Sequence, residues 1–412
     1  MLGKIGLIHH QVGNHNDALE YLERSHALYE ELGDHVGAAR LSSDIGVVDY
    51  QTGHYSEARA RWERSLRVFE EHGDNVSAAR VSGNIGNVYH STGDYAMAIE
   101  HFHRALILHE QHNEHRSIAL ITRNLGNAYR STGNYAVALE HFHRALERYE
   151  VLGNRRGVAQ SLCSIGLVYY DTGDYPNALS YLHRSLALHE ELGDQSGIAH
   201  VTDIIGGVHS YTGDYASAQD YLQRALALHT IAGDRASLAR VIGSMGLVYA
   251  NTGNQALALE HYERSLALHL EIGSMSSVAR VTGSIIRVLV ESGSIAEAEA
   301  MMATMDAMTI DDPGVRISRD TMRALILQHQ GKYEDAMTAL HATLRSAQTL
   351  GLPAEESELR RYLRDLCEVR NDLHGYIEHN KEHTRINAEI NNSDTSRKLA
   401  LQEKQREIDA VH

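Results

Sequence analysis

The stretch NIGNVYHSTGDYAMAIEHFHRAL, Asn84–Leu106, returns forty residues later as NLGNAYRSTGNYAVALEHFHRAL, Asn124–Leu146. At the same period, glycine falls at 6, 46, 86, 126, 166, 206 and 246. A second series runs 13, 53, 93, 133, 173, 213, 253 and 293, and a third 33, 73, 153, 193, 233 and 273, with Asn113 in its one gap. Together they place 21 of the 33 glycines, and no residue is inserted or lost between Gly6 and Gly293. A fixed period of this length marks a repeat array, so the 412-residue length does not convert into a count of independent globules.

Each series has its own physical reading. Gly93 in STGDY, and Gly173 and Gly213 in TGDY, end a helix in the left-handed conformation, and Asp94, Asp174 or Asp214 caps the next. The LGD of Gly33–Asp34 and Gly193–Asp194 does the same at the other end of the unit. Each unit is therefore helix, tight turn, helix, tight turn. The first series lies inside a helix, where glycine costs roughly 1 kcal/mol against alanine. Close approach of the partner helix is the expected return, with the recurring Ala18, Ala58, Ala98, Ala138, Ala178, Ala218, Ala258 and Ala298 as the facing small side chains. The second helix carries Tyr95, Ala98, Ile99, Phe102, Ala105, Leu106 and His109 at the spacing of one buried stripe. A single hairpin cannot bury that stripe, so units must stack.

Gly86, Tyr89, Ala98, Phe102 and Ala105 stand at the spacings of the tetratricopeptide repeat signature. The chain resembles that family over about Met1 to Leu350. The unit is forty residues rather than the usual thirty-four, the terminal proline is missing, and Ser82 stands where the signature tryptophan would. The forty-residue form is similar to the arrays of kinesin light chains and Asn-Leu-Gly-Asn G-protein regulators, and to the sensory halves of many bacterial signalling proteins. The resemblance implies an all-α fold, an α-solenoid in which hairpins form a right-handed superhelix with a peptide-binding concave face.

The pattern weakens after Gly293. Ile295 replaces the tyrosine, and MMATMDAMTIDDPG, Met301–Gly314, reads as a frayed helix end and a loop stopped at Pro313. The repeat resumes at Arg319, with GKYEDAM echoing GDYAMAI; Pro353 opens another helix to about Arg370, and a partner follows from about Leu373 to Ile390. The expected organisation is a repeat array over 1–310, divergent repeat-like hairpins over 311–390, and a protruding, weakly coiled-coil helix over 391–412. That last helix also fits homodimerisation. Met1 aligns with Leu41, so the first helix lacks counterparts of Asp34–Arg40, and the chain reads as a fragment. In the bacterial proteins it resembles, such a trailing helix leads to a histidine kinase, a nucleotide cyclase or a DNA-binding domain.

Composition bounds the function. A formal charge of −16 argues against nucleic acid as a general partner. Cys163 and Cys367 are far apart, which suits a reducing compartment. No stretch approaches eighteen apolar residues, and MLGKIGLIHHQVG lacks the apolar core and cleavage site of a signal peptide. The expectation is a cytoplasmic protein without membrane or nucleic-acid partners.

Arginine recurs at 24, 64, 104, 144, 184, 224 and 264. An acid four residues earlier, at Glu20, Glu100, Glu140, Asp220 and Glu260, makes a within-helix ion pair the expected role. Of the 28 histidines, His109, His189, His229 and His269 share a position with Tyr29, Phe69 and Tyr149, which reads as semi-buried packing. HNKEH, His379–His383, matches the H-x-x-E-H pattern of inverted zinc peptidases, with Glu382 as base, but no third ligand is identifiable. G-x-x-x-x-G-K-[ST], G-x-S-x-G and H-E-x-x-H are absent, so neither catalysis nor a cofactor nor a resident metal is expected.

By residue-wise matching to the family, the concave face would show Asn84, Asn87, Asn124 and Asn127, flanked by Arg80, His90, Arg123 and Arg130. Asparagine carries a donor and an acceptor and can clamp a peptide amide without reading its side chain. The alternative at these positions is that the asparagines bond neighbouring helices. The expected function is protein or peptide binding, as the sensory part of a bacterial signalling system. The basic groups favour an acidic partner. A peptide-pheromone receptor is the alternative, and a metallopeptidase at His379 and His383 a more distant one.

Overall fold

The computed structural model describes residues 2–308, 312–350 and 352–390, and among these every regular element is an α-helix. The C-terminal helix expected over 391–412, and dimerisation through it, lie outside the described residues. The helices follow as hairpins: α1 (Leu2–Gln11) with α2 (His15–Glu31), α3 (His35–Gln51) with α4 (Tyr55–Glu71), α5 (Asn75–Ser91) with α6 (Tyr95–Gln111), α7 (His115–Ser131) with α8 (Tyr135–Val151), and α9 (Arg155–Asp171). They continue with α10 (Tyr175–Glu191), α11 (Gln195–Thr212) with α12 (Tyr215–Ala232), α13 (Arg235–Asn251) with α14 (Gln255–Ile272), and α15 (Met275–Glu291) with α16 (Ile295–Asp306). α17 (Pro313–His329) with α18 (Tyr333–Leu350) and α19 (Pro353–Val369) with α20 (Leu373–Ile390) complete the order.

The chain divides into two compact units, Met1–Val168 and Tyr169–His412. Within each, consecutive helices pack, and first helices also touch the next first helix: α3 with α5 and α5 with α7 in the first unit, α11 with α13 and α13 with α15 in the second. This is an α-solenoid, in which each hairpin's apolar stripe is dried by its neighbours. Ala98, Phe102, Ala105 and Leu106 of α6 are buried with Ile118, Ile121 and Leu125 of α7.

The turn chemistry follows the glycine series. Gly93 has φ +86°, and Asn113 fills the gap in the third series with φ +54°, the left-handed region. Asp94, Asp174 and Asp214 each accept the backbone N–H three residues on, at 3.2, 3.3 and 3.2 Å. The threonine of the TG pair adds a device not read from the sequence. The Thr92 hydroxyl donates to the carbonyls of Val88 (3.0 Å) and Tyr89 (3.2 Å), supplying acceptors orphaned at the helix end.

The interior glycines do allow close approach, but alanine is not what they face. A β-carbon on Gly86 would lie 2.7 Å from the Phe102 ring. Trp62, Phe142 and Tyr262 occupy the same place against Gly46, Gly126 and Gly246. Ala98 is buried one turn away. A flat ring laid on a helix backbone needs the missing side chain more than another alanine would.

A second repeated contact joins the two helices of a hairpin. Tyr89 stacks on His101 with centroids 5.5 Å apart, Tyr129 on His141 at 5.4 Å, and His209 on Tyr221 at 5.6 Å. In α3–α4 the same two positions hold Asp49 and Arg61, paired at 2.9 Å.

The late hairpins depart from the period. α16 has 12 residues against 17 or 18 elsewhere in the array beyond α1. α17 begins at Pro313, six residues before the expected resumption at Arg319, because Asp312 caps it through the Val315 N–H at 3.1 Å. α19 starts at Pro353 and ends at Val369, and α20 spans Leu373–Ile390, close to the expected bounds.

Candidate peptide-binding face

The candidate residues lie on two adjacent first helices, Arg80, Asn84, Asn87 and His90 on α5 and Arg123, Asn124, Asn127 and Arg130 on α7. Spacings of three and four along each helix put several of them on one side. The four asparagines and His90 are half-buried, and Arg80 is exposed. The structure brings two together across the rung: the Asn124 amide donates to the Asn87 carbonyl at 3.0 Å. The side-chain amides of Asn84 and Asn127 make no hydrogen bond among the described residues.

The basic groups are partly committed. Arg80 sits 3.8 Å from Asp44 of α3. Burial raises the Asp44 carboxyl above its usual range, with Arg80 and His10 pulling the other way. His90 Nε2 lies 3.2 Å from the Ser131 hydroxyl, and burial pushes its imidazole below the usual value. Arg123 lies beside the buried Tyr149 hydroxyl, which burial raises and the guanidinium partly lowers. Arg123 and Arg130 also lie near Cys163, yet burial pushes that thiol up to about 12, so it is not a reactive thiolate.

Other sequence candidates resolve into packing. His109, His189, His229 and His269 are buried rather than semi-buried. His189 Nδ1 meets the N-cap Asp194 at 3.0 Å, and His229 faces Asp234 at 3.6 Å. The recurring arginines split. Arg24 pairs with Glu20 in its own helix at 3.4 Å, but Arg104 pairs with Glu70 and Arg224 with Glu190, at 2.5 Å, of the preceding hairpin. The rung-to-rung partner wins because a second helix ends beside the middle of the next. In HNKEH, Arg360 lies 3.3 Å from His379, Ser357 holds His383 at 2.9 Å, and Glu382 binds Arg385 at 2.8 Å. Among the described residues no three His, Cys, Asp or Glu side chains group to hold a metal. No helix there is long and apolar enough to cross a membrane.

The cavities of the second unit were not read from the sequence. Two cavities, of about 610 and 630 Å³, open among its first helices and share Tyr211, Arg280 and Glu358 in their linings. The available signal was departure from the repeat, since Tyr262 and Arg287 stand where other units have Phe102 and Asn87.

Comparison with known proteins agrees with this architecture. No curated protein matches the sequence. Among solved structures, the Rap conjugation gene regulator of plasmid pLS20 in complex with the Phr* peptide superposes with TM-score 0.59 at 16% identity, covering 82% of this chain and 96% of that one. A Rap protein complexed with Competence and Sporulation Factor gives 0.57 at 13%, covering 82% and 99%. The STAND signal-transduction ATPase with a tetratricopeptide repeat sensor from Pyrococcus horikoshii gives 0.57 at 15%, covering 84% of this chain and 54% of that one. At these identities the likeness is one of fold. The Tetratricopeptide repeat model matches residues 1–71, 77–151, 116–191, 157–231 and 198–271. With most of the chain matched and the hairpins, glycine turns and ring-on-backbone packing in place, the chain belongs to the tetratricopeptide repeat family.

Proposed function

We propose that the chain is a binding scaffold for an extended peptide, or a peptide-like segment of another protein, taken up on the first-helix face of its repeats. The carrying observation is the Asn124–Asn87 hydrogen bond across one rung. It spends one donor and one acceptor and fixes both amides, leaving Asn87 two N–H donors and Asn124 its carbonyl oxygen. That is the complement of a peptide group. Rungs about 10 Å apart match roughly three residues of extended chain, so Asn84 and Asn127 continue the same reading on either side. The peptide complexes of the Rap proteins and the sensor role of the repeats in the STAND ATPase support it by analogy of fold. We place the chain in the cytoplasm as the sensory or regulatory part of a signalling protein, with its regular array over 1–310 as the binding part. Arg123 and Arg130 favour a partner with acidic character.

Panning a random dodecapeptide library against the purified chain, followed by anisotropy titration of the winners, tests this. Asn87→Ala with Asn127→Ala should weaken the selected peptides by about tenfold or more, the scale of lost polar contacts. Unchanged binding would remove the face from consideration. The second reading, a receptor for a short peptide signal, draws on the same two Rap complexes. It requires the chain to contract in solution scattering when a selected peptide is added; a scaffold would keep its dimensions.

A further inference from the structure

We propose that the second unit contains an oxyanion-binding cavity, in which Arg280 and Arg287 receive the charge and Tyr262 and His269 complete the hydrogen bonding. It does not depend on the peptide reading above. The cavity of about 610 Å³ is lined by α13, α14 and α15 with a few residues of α11 and α19, and is of small-molecule size.

Three guanidinium groups line it: Arg240, Arg280 and Arg287. Arg240 is already matched, because it donates to the buried Asp203 carboxylate. Neither Arg280 nor Arg287 has a carboxylate within ion-pairing distance among the described residues. Glu358 also lines the cavity, but it accepts the Tyr362 hydroxyl at 3.1 Å and lies 3.6 Å from Arg361. Two planar cations therefore face the space without a carboxylate in ion-pairing contact, Glu358 and Glu291 acting on Arg287 only from further off; their forked geometry suits carboxylate or phosphate.

The second observation is independent of charge. Tyr262 is 3% exposed and His269 5% exposed, and both line the cavity. The Tyr262 hydroxyl lies near Ser284 and Arg287, yet no group meets it in hydrogen-bonding geometry, and both His269 nitrogens are without a partner. Buried polar atoms left this way are rare and need a reason.

The repeat itself shows how these positions are otherwise satisfied. The place of Tyr262 is held elsewhere by Phe102, Phe142, Leu182 and Leu222, or by Trp62, whose N–H donates to the Ser43 carbonyl at 3.0 Å. The place of His269 in other units has an acid five residues on, Glu114 for His109, Asp194 for His189 and Asp234 for His229; here it is Ser274. One hairpin has thus gained a hydroxyl beside Arg287 and lost an acid beside Arg280, both in the lining of one cavity. A ligand bearing oxyanion groups would supply the acceptors that these donors lack.

The experiment is calorimetric titration of the full chain at low ionic strength with inorganic phosphate and, separately, with succinate. Saturable binding of phosphate assigns a phosphoryl-bearing ligand, and of succinate a carboxylate-bearing one. Arg280→Gln should weaken either by about tenfold, and Tyr262→Phe should weaken it as well. The latter removes one oxygen at a position where this chain elsewhere carries phenylalanine, so folding is retained. Arg104→Gln, in the other unit, should leave binding unchanged. No saturable binding of either anion, or binding insensitive to both cavity variants, or equal loss in Arg104→Gln, overturns the proposal.

Discussion

The hairpins α5–α6 and α13–α14 are built on the same frame and present different chemistry. In both, a ring lies on a glycine backbone, Phe102 on Gly86 and Tyr262 on Gly246. In both, a tyrosine of the first helix meets a histidine of the second, Tyr89 with His101 and Tyr249 with His261. The differences fall elsewhere. Asn87 becomes Leu247, and the acid that accompanies His109 becomes Ser274 for His269. Positions that dry the stack repeat, while positions that face a groove or cavity drift. Departures from the period are therefore where specific chemistry is to be sought in this chain.

Removing the shared ring should have the largest effect. Phe102→Ala and Tyr262→Ala should each cost about 3–5 kcal/mol in urea denaturation, since both delete a buried aromatic group with little room for collapse. A loss under about 1 kcal/mol at either site would mean that the two hairpins do not share a frame. The exchange of hydroxyls sharpens it further. Phe102→Tyr buries an unpaired hydroxyl and should cost about 1–3 kcal/mol, whereas Tyr262→Phe, without added anion, should be neutral or stabilising. If the two exchanges shift the urea midpoint equally, the Tyr262 hydroxyl is no misfit and is not an unmatched donor of the cavity.

The frame was legible in the sequence because it is repeated. Glycine at a fixed period implied helix ends, and Asn113 in the single gap was readable as a left-handed residue since asparagine tolerates that conformation. What faced each glycine was not legible: alanine and phenylalanine recur at the same period, and periodicity alone does not say which touches the backbone. The Tyr–His stacks were missed for a related reason. They join residues twelve apart on different helices, and spacing within one helix gives no sign of them. The start of α17 was misplaced because a divergent segment has no register to inherit. The candidate face was read from matching positions, and the link between Asn87 and Asn124 needed coordinates, since it depends on how far one rung rotates against the next.

The buried histidines give the hairpins a shared acid sensitivity. Burial is the main cause holding His109, His141 and His269 below the ordinary 6.5, with Arg280 adding to it at His269. A histidine depressed in the folded state stabilises fully above its unfolded value, and that contribution is lost as pH falls below it. The melting temperature should therefore fall as pH drops below 6.5, a fall that proton uptake by the raised Asp44 and Asp203 carboxyls partly offsets. His109→Phe, a residue the array already carries as Phe69, should flatten that fall. An unchanged slope would place the acid sensitivity elsewhere.

The smallest expected effect concerns the outer arginines, and it decides between two geometries. If Arg104 were held by Glu100 in its own helix, each hairpin would be electrostatically self-contained. The structure instead pairs it with Glu70 of the previous hairpin. Both side chains are largely exposed, so the coupling should be only about 0.2–1 kcal/mol and should shrink in salt. A double-mutant cycle of Arg104→Ala with Glu70→Ala should recover that coupling, while the cycle with Glu100→Ala should give close to zero. The reverse pattern would return the arginine row to single helices. The polar contacts between those neighbouring hairpins would then fall to the first helices, as in Arg80–Asp44.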